Sequence, residues 1–314
     1  MNPDTFIKPL EQLRDCTLCP RHCHANRFEG KTGYCRSDTS FNIASICIHK
    51  GEEPIISGTK GICNIFFTNC NLQCIYCQNH QISDRRISRN LSAIDIDCIL
   101  AEIRKILDSG INLLGFVSPS HFIPQMKMII NEVNALGYKP KWLYNTNAYD
   151  KVETLRSLEG IIDVYLPDFK YLDENLAFEL SDARDYPRVA ADSLKEMFRQ
   201  KGSTLILNEE GTAESGMIIR HLVLPGQIEN SFKVLRFIAE ELSPRIHVSL
   251  MSQYYPTKHV NNHPSMNRGI FANEYFLVQA EMNRLGLYSG WIQEIESQDY
   301  YRPDFENLHP FETI

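Results

Sequence analysis

From residue 66 onward, segments with the hydrophobic pattern of buried strands alternate with segments with the hydrophobic pattern of helices. Short apolar runs typical of buried strands lie at 66–70, 111–119, 141–147, 161–169, 216–226 and 245–256. Between and after these runs, apolar residues recur every three or four positions and predict helices over 96–107, 126–136, 151–158, 188–201, 231–242 and 272–286. Strands that alternate with helices in this way predict parallel β/α units.

The number of β/α units decides between the parallel architectures. Six units over about 200 residues are fewer than the eight that close a full TIM barrel. We therefore predict an α/β fold built as a partial (β/α)6 TIM-like barrel, with a doubly wound parallel sheet as the alternative. In either architecture ligands bind at the carboxyl ends of the strands, so the residues that follow the strands are the functional candidates.

The segments outside this pattern divide the chain into three regions. A cysteine-rich extension over 1–60 precedes the β/α core, which we place at 61–286. The tail over 287–314 is aromatic and acidic, with the sequence YSGWIQEIESQDYYRPDF at 288–305. Because reactive intermediates need protection from water, such a tail predicts a lid over the barrel mouth or a surface for a partner.

Composition and charge narrow the class of protein. The chain has 314 residues, of which 43% are hydrophobic and 23% charged, which is enough apolar surface for a sizeable core. Its 32 Lys and Arg against 39 Asp and Glu give a net charge of -7, which argues against a groove for nucleic acid. No apolar run approaches the roughly 18 residues that a membrane span needs, and the first residues lack the pattern of a signal peptide. We therefore expect a cytoplasmic protein without a nucleic-acid or membrane partner.

Ten cysteines would be reduced in the cytoplasm, so clusters of them predict metal sites. Three of the ten, Cys47, Cys63 and Cys98, are isolated and are expected to be small buried residues. A first group is spaced by two, three and eleven intervening residues: Cys16, Cys19, Cys23 and Cys35. Four thiolates suit a tetrahedral zinc ion or a four-iron cluster, and because the spacing matches no common zinc module, a site without metal is the third interpretation.

The second cysteine group follows the first predicted strand in the segment TNCNLQCIYCQN. Cys70, Cys74 and Cys77 stand in a C-x3-C-x2-C spacing. Thiolates at this spacing can hold one face of an iron–sulfur cube, and three ligands leave the fourth iron open to a substrate. From the residues alone, a zinc knuckle and three unrelated core cysteines are the alternatives.

The cysteine spacing, with Tyr76 directly before the third cysteine, resembles the signature of the radical S-adenosylmethionine (SAM) superfamily. The resemblance implies a [4Fe-4S] cluster on Cys70, Cys74 and Cys77 whose open iron chelates the methionine part of SAM. It also implies that a reducing electron donor of the flavodoxin or ferredoxin kind supplies the electron that cleaves the SAM sulfonium to a 5′-deoxyadenosyl radical.

The order of further motifs resembles a group of proteins related to pyruvate formate-lyase-activating enzyme over nearly the whole chain. These motifs are C-x2-C-P-R-x-C, GEEPIISG, VSPSH, YNTNAYD, YLPDFKY, RHLVLPG and LMSQYYP. The resemblance implies the radical mechanism but no particular substrate.

The strand-end motifs imply where SAM binds. Radical SAM enzymes usually have a Gly-Gly-Glu stretch after the second strand, and here Ser118 and Ser120 take its place as partners for the methionine ammonium group. Asp168 and Lys170 resemble a D-x-K pair that contacts SAM in glycyl-radical activating enzymes; a structural ion pair is the alternative. Two residues at another strand end are candidates for the ribose hydroxyls or for a turn: Asn145 and Asn147.

The last two strands and the loops carry the remaining candidates. Arg220 begins a run that resembles R-Y-V-V-P-G in the activating enzymes, and we expect it to face the cofactor or the substrate. Where those enzymes have a histidine near the adenosine, Gln253 or Tyr254 stands here. For the substrate, we expect Glu53 and His121 to converge with Arg220 near the 5′ carbon of the adenosine.

Three functions are consistent with these patterns. The first is a radical SAM enzyme that abstracts a hydrogen atom from a small molecule or peptide. The second is an activating enzyme that installs a glycyl radical on a protein partner. The third, from a different class, is an iron–sulfur electron carrier that does not turn over SAM. Three loop cysteines instead of four, together with the polar strand ends, favour an enzyme.

Overall fold

Nine strands form the sheet in the computed structural model, which describes residues 8–87, 94–299, 302–307 and 309–311. They are β1 (Ile43–His49), β2 (Ile62–Phe67), β3 (Leu113–Val117), β4 (Lys141–Thr146), β5 (Val164–Pro167), β6 (Ile206–Leu207), β7 (Ala213–Leu222), β8 (His247–Met251) and β9 (Gly290–Ile292). Their order in the sheet is β1-β2-β3-β4-β5-β7-β8-β9, and β6 pairs with β7 outside that path.

Six of these strands correspond to the six apolar runs. Each neighbouring pair among β2, β3, β4, β5, β7 and β8 is parallel, and β1 joins β2 antiparallel at one edge. The strands follow one another without the reversal of order that defines a doubly wound sheet. Over the described residues no ladder joins β1 to β9, so the sheet is not closed. The prediction of a partial TIM-like barrel is confirmed.

The helices lie between the strands. They are α1 (Pro54–Ser57), α2 (His80–Ser83), α3 (Ile96–Asp108), α4 (Ile123–Ala135), α5 (Val152–Arg156), α6 (Glu174–Ser181), α7 (Tyr186–Lys201), α8 (Ile228–Phe237) and α9 (Ala272–Arg284). All six predicted helices are present, and α8 continues as a π-helical turn over Ile238–Leu242. Within the described residues, no helix is both long and apolar enough to cross a membrane.

Helix α3 illustrates how the apolar spacing determines an element. The Asp95 side chain caps its amino terminus by accepting a hydrogen bond from the backbone N–H of Asp97. Ile99 and Ile103, four residues apart, are completely buried in the main core. Burying one such side chain stabilises the fold by roughly 1.5–3 kcal/mol. Cys98 was expected to be buried but is exposed, because it lies off this apolar stripe.

The sequence pattern missed the two edge strands of the sheet. Strand β1 lies in the segment expected as the extension (1–60), and β9 lies in the segment expected as the tail (287–314). Edge strands pair on one side only and depend on tertiary contacts more than on their own apolar pattern. In β9, a Cβ added at Gly290 would lie 2.1 Å from the carbonyl oxygen of Val248. Only glycine therefore lets β9 approach β8 this closely.

An apolar layer fills the barrel near the amino-terminal ends of the strands. Helix α1 inserts Ile56 into a cluster of strand residues: Ile62, Leu113, Leu143, Val164 and Ile218. Two positions further along a strand the side chain points to the same face. The next inward positions on β2, β4 and β7 are Asn64, Asn145 and Arg220, which are polar. The barrel therefore has an apolar floor and a polar upper half.

Candidate functional site

A cavity of about 450 Å³ opens above the apolar floor, at the carboxyl ends of the strands. Most of the candidate site residues line it: Glu53, Cys70, Cys74, Tyr76, Cys77, Ser118, Asn145, Asn147, Asp168, Lys170, Arg220 and Gln253. The four cysteines of the first group line a separate small cavity. Ser120, His121 and Tyr254 line neither cavity.

The cysteine loop begins where β2 ends. Asn69 has a φ of +63°, a left-handed conformation that turns the chain out of the strand. The Sγ atom of Cys70 accepts hydrogen bonds from the backbone N–H of Leu72 and from Nδ2 of Asn147, both at 3.4 Å. Donors of this kind stabilise a thiolate, which is the form that binds iron.

The other two sulfur atoms of the loop also have polar partners, supplied by short helices. The hydroxyl of Ser181 at the end of α6 donates to Cys74 Sγ at 3.0 Å. Cys77 Sγ lies 3.2 Å from the hydroxyl of Ser83 at the end of α2. Each of the three sulfur atoms therefore has a hydrogen-bonding partner that can fix its orientation.

Burial keeps two of the loop thiols, Cys70 and Cys77, protonated in the metal-free chain. It raises the pKa of Cys70 to about 12 and the pKa of Cys77 to about 11, while the ammonium group of Lys170 opposes both shifts. A bound metal lowers the pKa of a coordinating thiol enough to deprotonate it. The thiols of Cys70 and Cys77 would therefore ionise as they bind iron.

The loop suits a cluster better than a single ion. Among the described residues, no three His, Cys, Asp or Glu side chains are arranged to hold one metal ion. Thiolates on separate irons of a cube are farther apart than thiolates that share one ion. Three hydrogen-bonded thiols around an open cavity therefore fit a [4Fe-4S] cluster with one open iron.

A network of charged side chains crosses the cavity beside the cysteine loop. Arg220 donates from Nε to Asp168 at 2.8 Å, from Nη1 to Glu52 at 3.1 Å and from Nη2 to Asn145 at 2.8 Å. The second carboxylate oxygen of Asp168 accepts a hydrogen bond from Lys170 Nζ at 3.0 Å. Arg220 therefore holds the carboxylate of Asp168 in place, and Asp168 in turn orients Lys170.

The paired charges set the protonation states of this network. Burial alone would raise the pKa of Asp168, but Arg220 and Lys170 hold it below its usual value. Burial would likewise lower the pKa of Lys170, yet the Asp168 carboxylate beside it raises that pKa above its usual value. Asp168 and Lys170 are therefore both charged at neutral pH.

Glu53 offers a free carboxyl oxygen to the cavity. The residue is 8% exposed, and its Oε2 has no hydrogen-bond partner within the part of the chain that is described. Burial raises the pKa of Glu53, while Arg220 opposes that shift and Glu52 adds to it. Its side chain can therefore receive a hydrogen-bond donor from a bound molecule.

His49 is a cavity residue that the sequence pattern did not indicate. It ends β1, and its Nδ1 is buried without a hydrogen-bond partner in the described chain. Its ring lies 4.0 Å from the ring of Phe311 in the tail, measured between centroids. Alternation along β1 would have placed His49 on the same face as Cys47, but the strand itself was not recognised.

The turn after β3 explains why two predicted residues lie away from the cavity. Ser118 has a left-handed φ of +52°, and a short 3-10 helix, Pro119–His121, follows it. Nε2 of His121 lies 3.0 Å from the Thr68 carbonyl oxygen, and burial lowers the histidine pKa to about 3. His121 therefore does not converge with Glu53 near a substrate, contrary to the prediction from the sequence. The turn directs its side chain into the core.

Ser120 and Tyr254 are also held inside the protein. The Ser120 hydroxyl lies 3.4 Å from that of Thr146, and the Tyr254 hydroxyl donates to a backbone carbonyl at 2.6 Å. Gln253 instead lines the cavity, and its side-chain oxygen accepts a hydrogen bond from Gln293 of the tail at 2.8 Å. Of the two alternatives at the sixth predicted strand, the structure places Gln253 at the cavity.

The first cysteine group is drawn together by the amino-terminal chain. Its members line one small enclosed cavity: Cys16, Cys19, Cys23 and Cys35. Burial raises the pKa of the Cys19 thiol to about 12, and the other three thiols lie close enough to add to that shift. The backbone N–H of Arg21 opposes it by donating to the Cys19 sulfur.

Part of the chain is similar to a known family of iron–sulfur domains. Residues 56–184, which include the cysteine loop, match a family described as a 4Fe-4S single cluster domain. An uncharacterised protein of Methanocaldococcus jannaschii is 29% identical over 269 residues, which cover 83% of this chain and 72% of that protein.

Solved structures are similar at low sequence identity. SuiB of Streptococcus suis, in a structure bound to S-adenosylmethionine, is 14% identical over 76% of this chain and 51% of its own, with a TM-score of 0.48. HydG, a maturase of the [FeFe]-hydrogenase, is 12% identical over 93% of this chain and 66% of its own, with a TM-score of 0.50. The chain thus spans about half the length of SuiB and about two thirds of HydG. The HydG likeness bears on the fold alone, and the family match over residues 56–184 supports an iron–sulfur cluster on the cysteine loop.

Proposed function

We propose that the protein is a radical SAM enzyme that binds a [4Fe-4S] cluster on Cys70, Cys74 and Cys77. The observation that carries the proposal is one cavity that brings the three hydrogen-bonded thiols together with Asp168 and Lys170. When bound, the cluster and SAM together supply a one-electron cleavage that yields methionine and a 5′-deoxyadenosyl radical. A reductant of the flavodoxin or ferredoxin kind is the proposed electron source.

Several side chains of the cavity would position SAM. Lys170 uses one of its three N–H donors on Asp168, which leaves donors for the methionine carboxylate. Ser118, at the end of β3, is the candidate for the ammonium group. Asn147 is the candidate for the ribose hydroxyls, and it lies against the cysteine loop, because its Nδ2 donates to both Cys70 Sγ and the side-chain oxygen of Asn71. Arg220 has all three guanidinium nitrogens engaged and therefore acts by holding Asp168.

We further propose that the substrate is a small polar molecule or a short peptide from which a hydrogen atom is abstracted. Glu53 and His49 present unpartnered buried polar atoms to the cavity. Such atoms are costly unless a ligand satisfies them, so they favour a substrate with hydrogen-bond donors. Tail residues Trp291, Gln293 and Phe311 also line the cavity, which favours an enclosed reaction chamber.

Two alternatives remain distinguishable by experiment. An activating enzyme would have to admit a loop of a glycyl-radical protein, which requires the tail to leave the cavity mouth. An electron carrier needs neither a free buried carboxyl at Glu53 nor a lysine among the cluster thiols. The polar lining of the cavity therefore favours turnover of SAM over simple electron transfer.

The decisive experiment is anaerobic incubation of the reconstituted protein with SAM and a strong reductant. We expect 5′-deoxyadenosine and methionine in equal amounts, and neither product from the Cys77→Ala variant. Cys98→Ser, a change of an exposed cysteine outside both groups, is the matched control and should behave like the parent. A fully loaded [4Fe-4S] protein that forms no 5′-deoxyadenosine would favour the electron carrier.

A further inference from the structure

The amino-terminal thiols are built into a local framework of hydrogen bonds. The backbone N–H of Tyr34 donates to Cys23 Sγ at 3.2 Å, and Nη2 of Arg27 donates to Cys35 Sγ at 3.6 Å. A Cβ at Gly33 would lie 2.7 Å from Cys23 Sγ, so glycine makes the room that this sulfur occupies. Donors that point at sulfur are typical of metal thiolates.

Two arginines bring positive charge to the same cavity without a carboxylate to balance it. Arg27 is 3% exposed and lines the cavity, and neither it nor Arg21 forms an ion pair within the described part of the chain. Nη2 of Arg21 is buried and has no hydrogen-bond partner there. A buried guanidinium without an anion is costly. Four neutral thiols do not supply the missing negative charge, whereas four thiolates on a metal centre do.

The arrangement of the four thiols distinguishes a cluster from a single ion. Zinc–sulfur bonds of about 2.3 Å place four sulfur atoms roughly 3.8 Å apart, in contact with one another. Here the four cysteines line one small cavity in the amino-terminal segment. Consistently, no described group of three ligating side chains is arranged around one ion. This spacing suits thiolates that bind four separate irons.

We propose that Cys16, Cys19, Cys23 and Cys35 bind a second [4Fe-4S] cluster, closed by four thiolates. A closed cluster has no open iron, so it would not bind SAM. The site also contacts the cysteine loop, because Nε of Arg21 donates to the carbonyl oxygen of Asn71 at 2.9 Å. Asn71 directly follows Cys70. The proposed cluster would therefore stabilise the segment that supports the first one.

The test separates this site from the cysteine loop. In the full chain, Cys70, Cys74 and Cys77 are all replaced by alanine, and the variant is reconstituted anaerobically with iron and sulfide. We expect about four irons and four sulfides per chain, with visible absorption that bleaches on reduction and does not respond to SAM. Adding Cys19→Ala and Cys35→Ala should remove the iron, whereas adding Cys98→Ser should not. The loop thiols are absent in every variant, so the result does not depend on SAM cleavage.

Each outcome of this test decides the proposal. About one zinc per chain, without iron–sulfur absorption, overturns it in favour of a single-ion site, and negligible metal overturns it altogether. If the triple variant fails to fold, the metal content of the parent protein is measured instead. About eight irons per chain support two clusters, whereas about four irons, with or without one zinc, overturn the second cluster.

Discussion

Single residues of the cavity have one of two roles. Some hold another side chain in place, and others keep hydrogen-bonding groups available for a ligand. Arg220 donates to Glu52, Asp168 and Asn145. Its removal would take away the cation that the two carboxylates share and leave Asp168 with Lys170 alone. Lys170 has one such partner and unused donors. The two cations of the network therefore have different roles, although both lie beside Asp168.

Replacing Lys170 by alanine is expected to weaken SAM binding by roughly 10- to 100-fold, the equivalent of a hydrogen bond to a charged group. The [4Fe-4S] content should stay unchanged, because the three cysteines are intact. Isothermal titration with SAM measures the affinity, and Lys233→Ala, which removes a surface ammonium near Asp173, is the control. Unchanged affinity with a lowered unfolding midpoint would instead make Lys170 half of a structural ion pair.

The pKa of His121 predicts a pH dependence of stability. Its folded-state pKa is about 3, against an ordinary value of 6.5, because burial disfavours the charged ring. The unfolded chain therefore binds a proton that the folded chain excludes, and stability is lost as pH falls below 6.5. Between pH 6.5 and 5 this costs about 1.5 kcal/mol. Denaturant unfolding at several pH values should give a shallower acid slope for His121→Gln, and parallel slopes would contradict the assignment.

Residue patterns alone could predict some of this site and not the rest. Asp168 and Lys170 stand two positions apart at a strand end, so alternation was enough to place them together. His121 could not be placed, because its direction depends on the left-handed turn at Ser118. His49 could not be found, because β1 is recognisable only by its pairing with β2.

At the scale of elements, the edge strands determine the limits of the cavity. Strand β9 extends the parallel sheet by one strand and brings Trp291 and Gln293 to the cavity wall. The six central strands were predictable because buried parallel strands have continuous apolar runs. A three-residue strand has no such run, and β9 instead depends on close contact with β8 through Gly290.

Gly290→Ala is therefore expected to destabilise the fold more than an ordinary glycine substitution. Its Cβ would collide with the Val248 backbone, which should unpair β9. Gly286→Ala is the matched control, since its φ is also positive but its Cβ would meet only a side-chain atom at 4.0 Å. Strain at Gly286 should cost about 1 kcal/mol, and Gly290→Ala should cost clearly more in denaturant unfolding. Equal losses would contradict a close β8–β9 contact.

At the scale of the whole molecule, both ends of the chain contact the segment that holds the loop cysteines. The amino-terminal extension reaches it through Arg21 and Asn71. The tail reaches it through Gln81, which donates to Asp304 at 2.9 Å and accepts from the backbone N–H of Phe305 at 2.8 Å. An open sheet leaves a gap between its edge strands, and the tail aromatics pack against β1 and β2 beside that gap.

The tail contacts predict that Phe305 and Phe311 shield the proposed [4Fe-4S] cluster on the cysteine loop. Both rings pack on Phe66, with centroids 5.2 Å and 5.6 Å away. Replacing both by alanine removes these contacts, so the tail should open and admit solvent and oxygen. We expect the cluster absorption to bleach several-fold faster in air, while the anaerobic iron content stays at the parent level.

Phe276→Ala is the control for this variant, because Phe276 is an exposed aromatic residue on α9. It should leave the bleaching rate unchanged. A double variant that bleaches at the parent rate would show that the tail does not protect the cavity. That result would remove the main support for a small enclosed substrate and favour an open mouth that admits a protein loop.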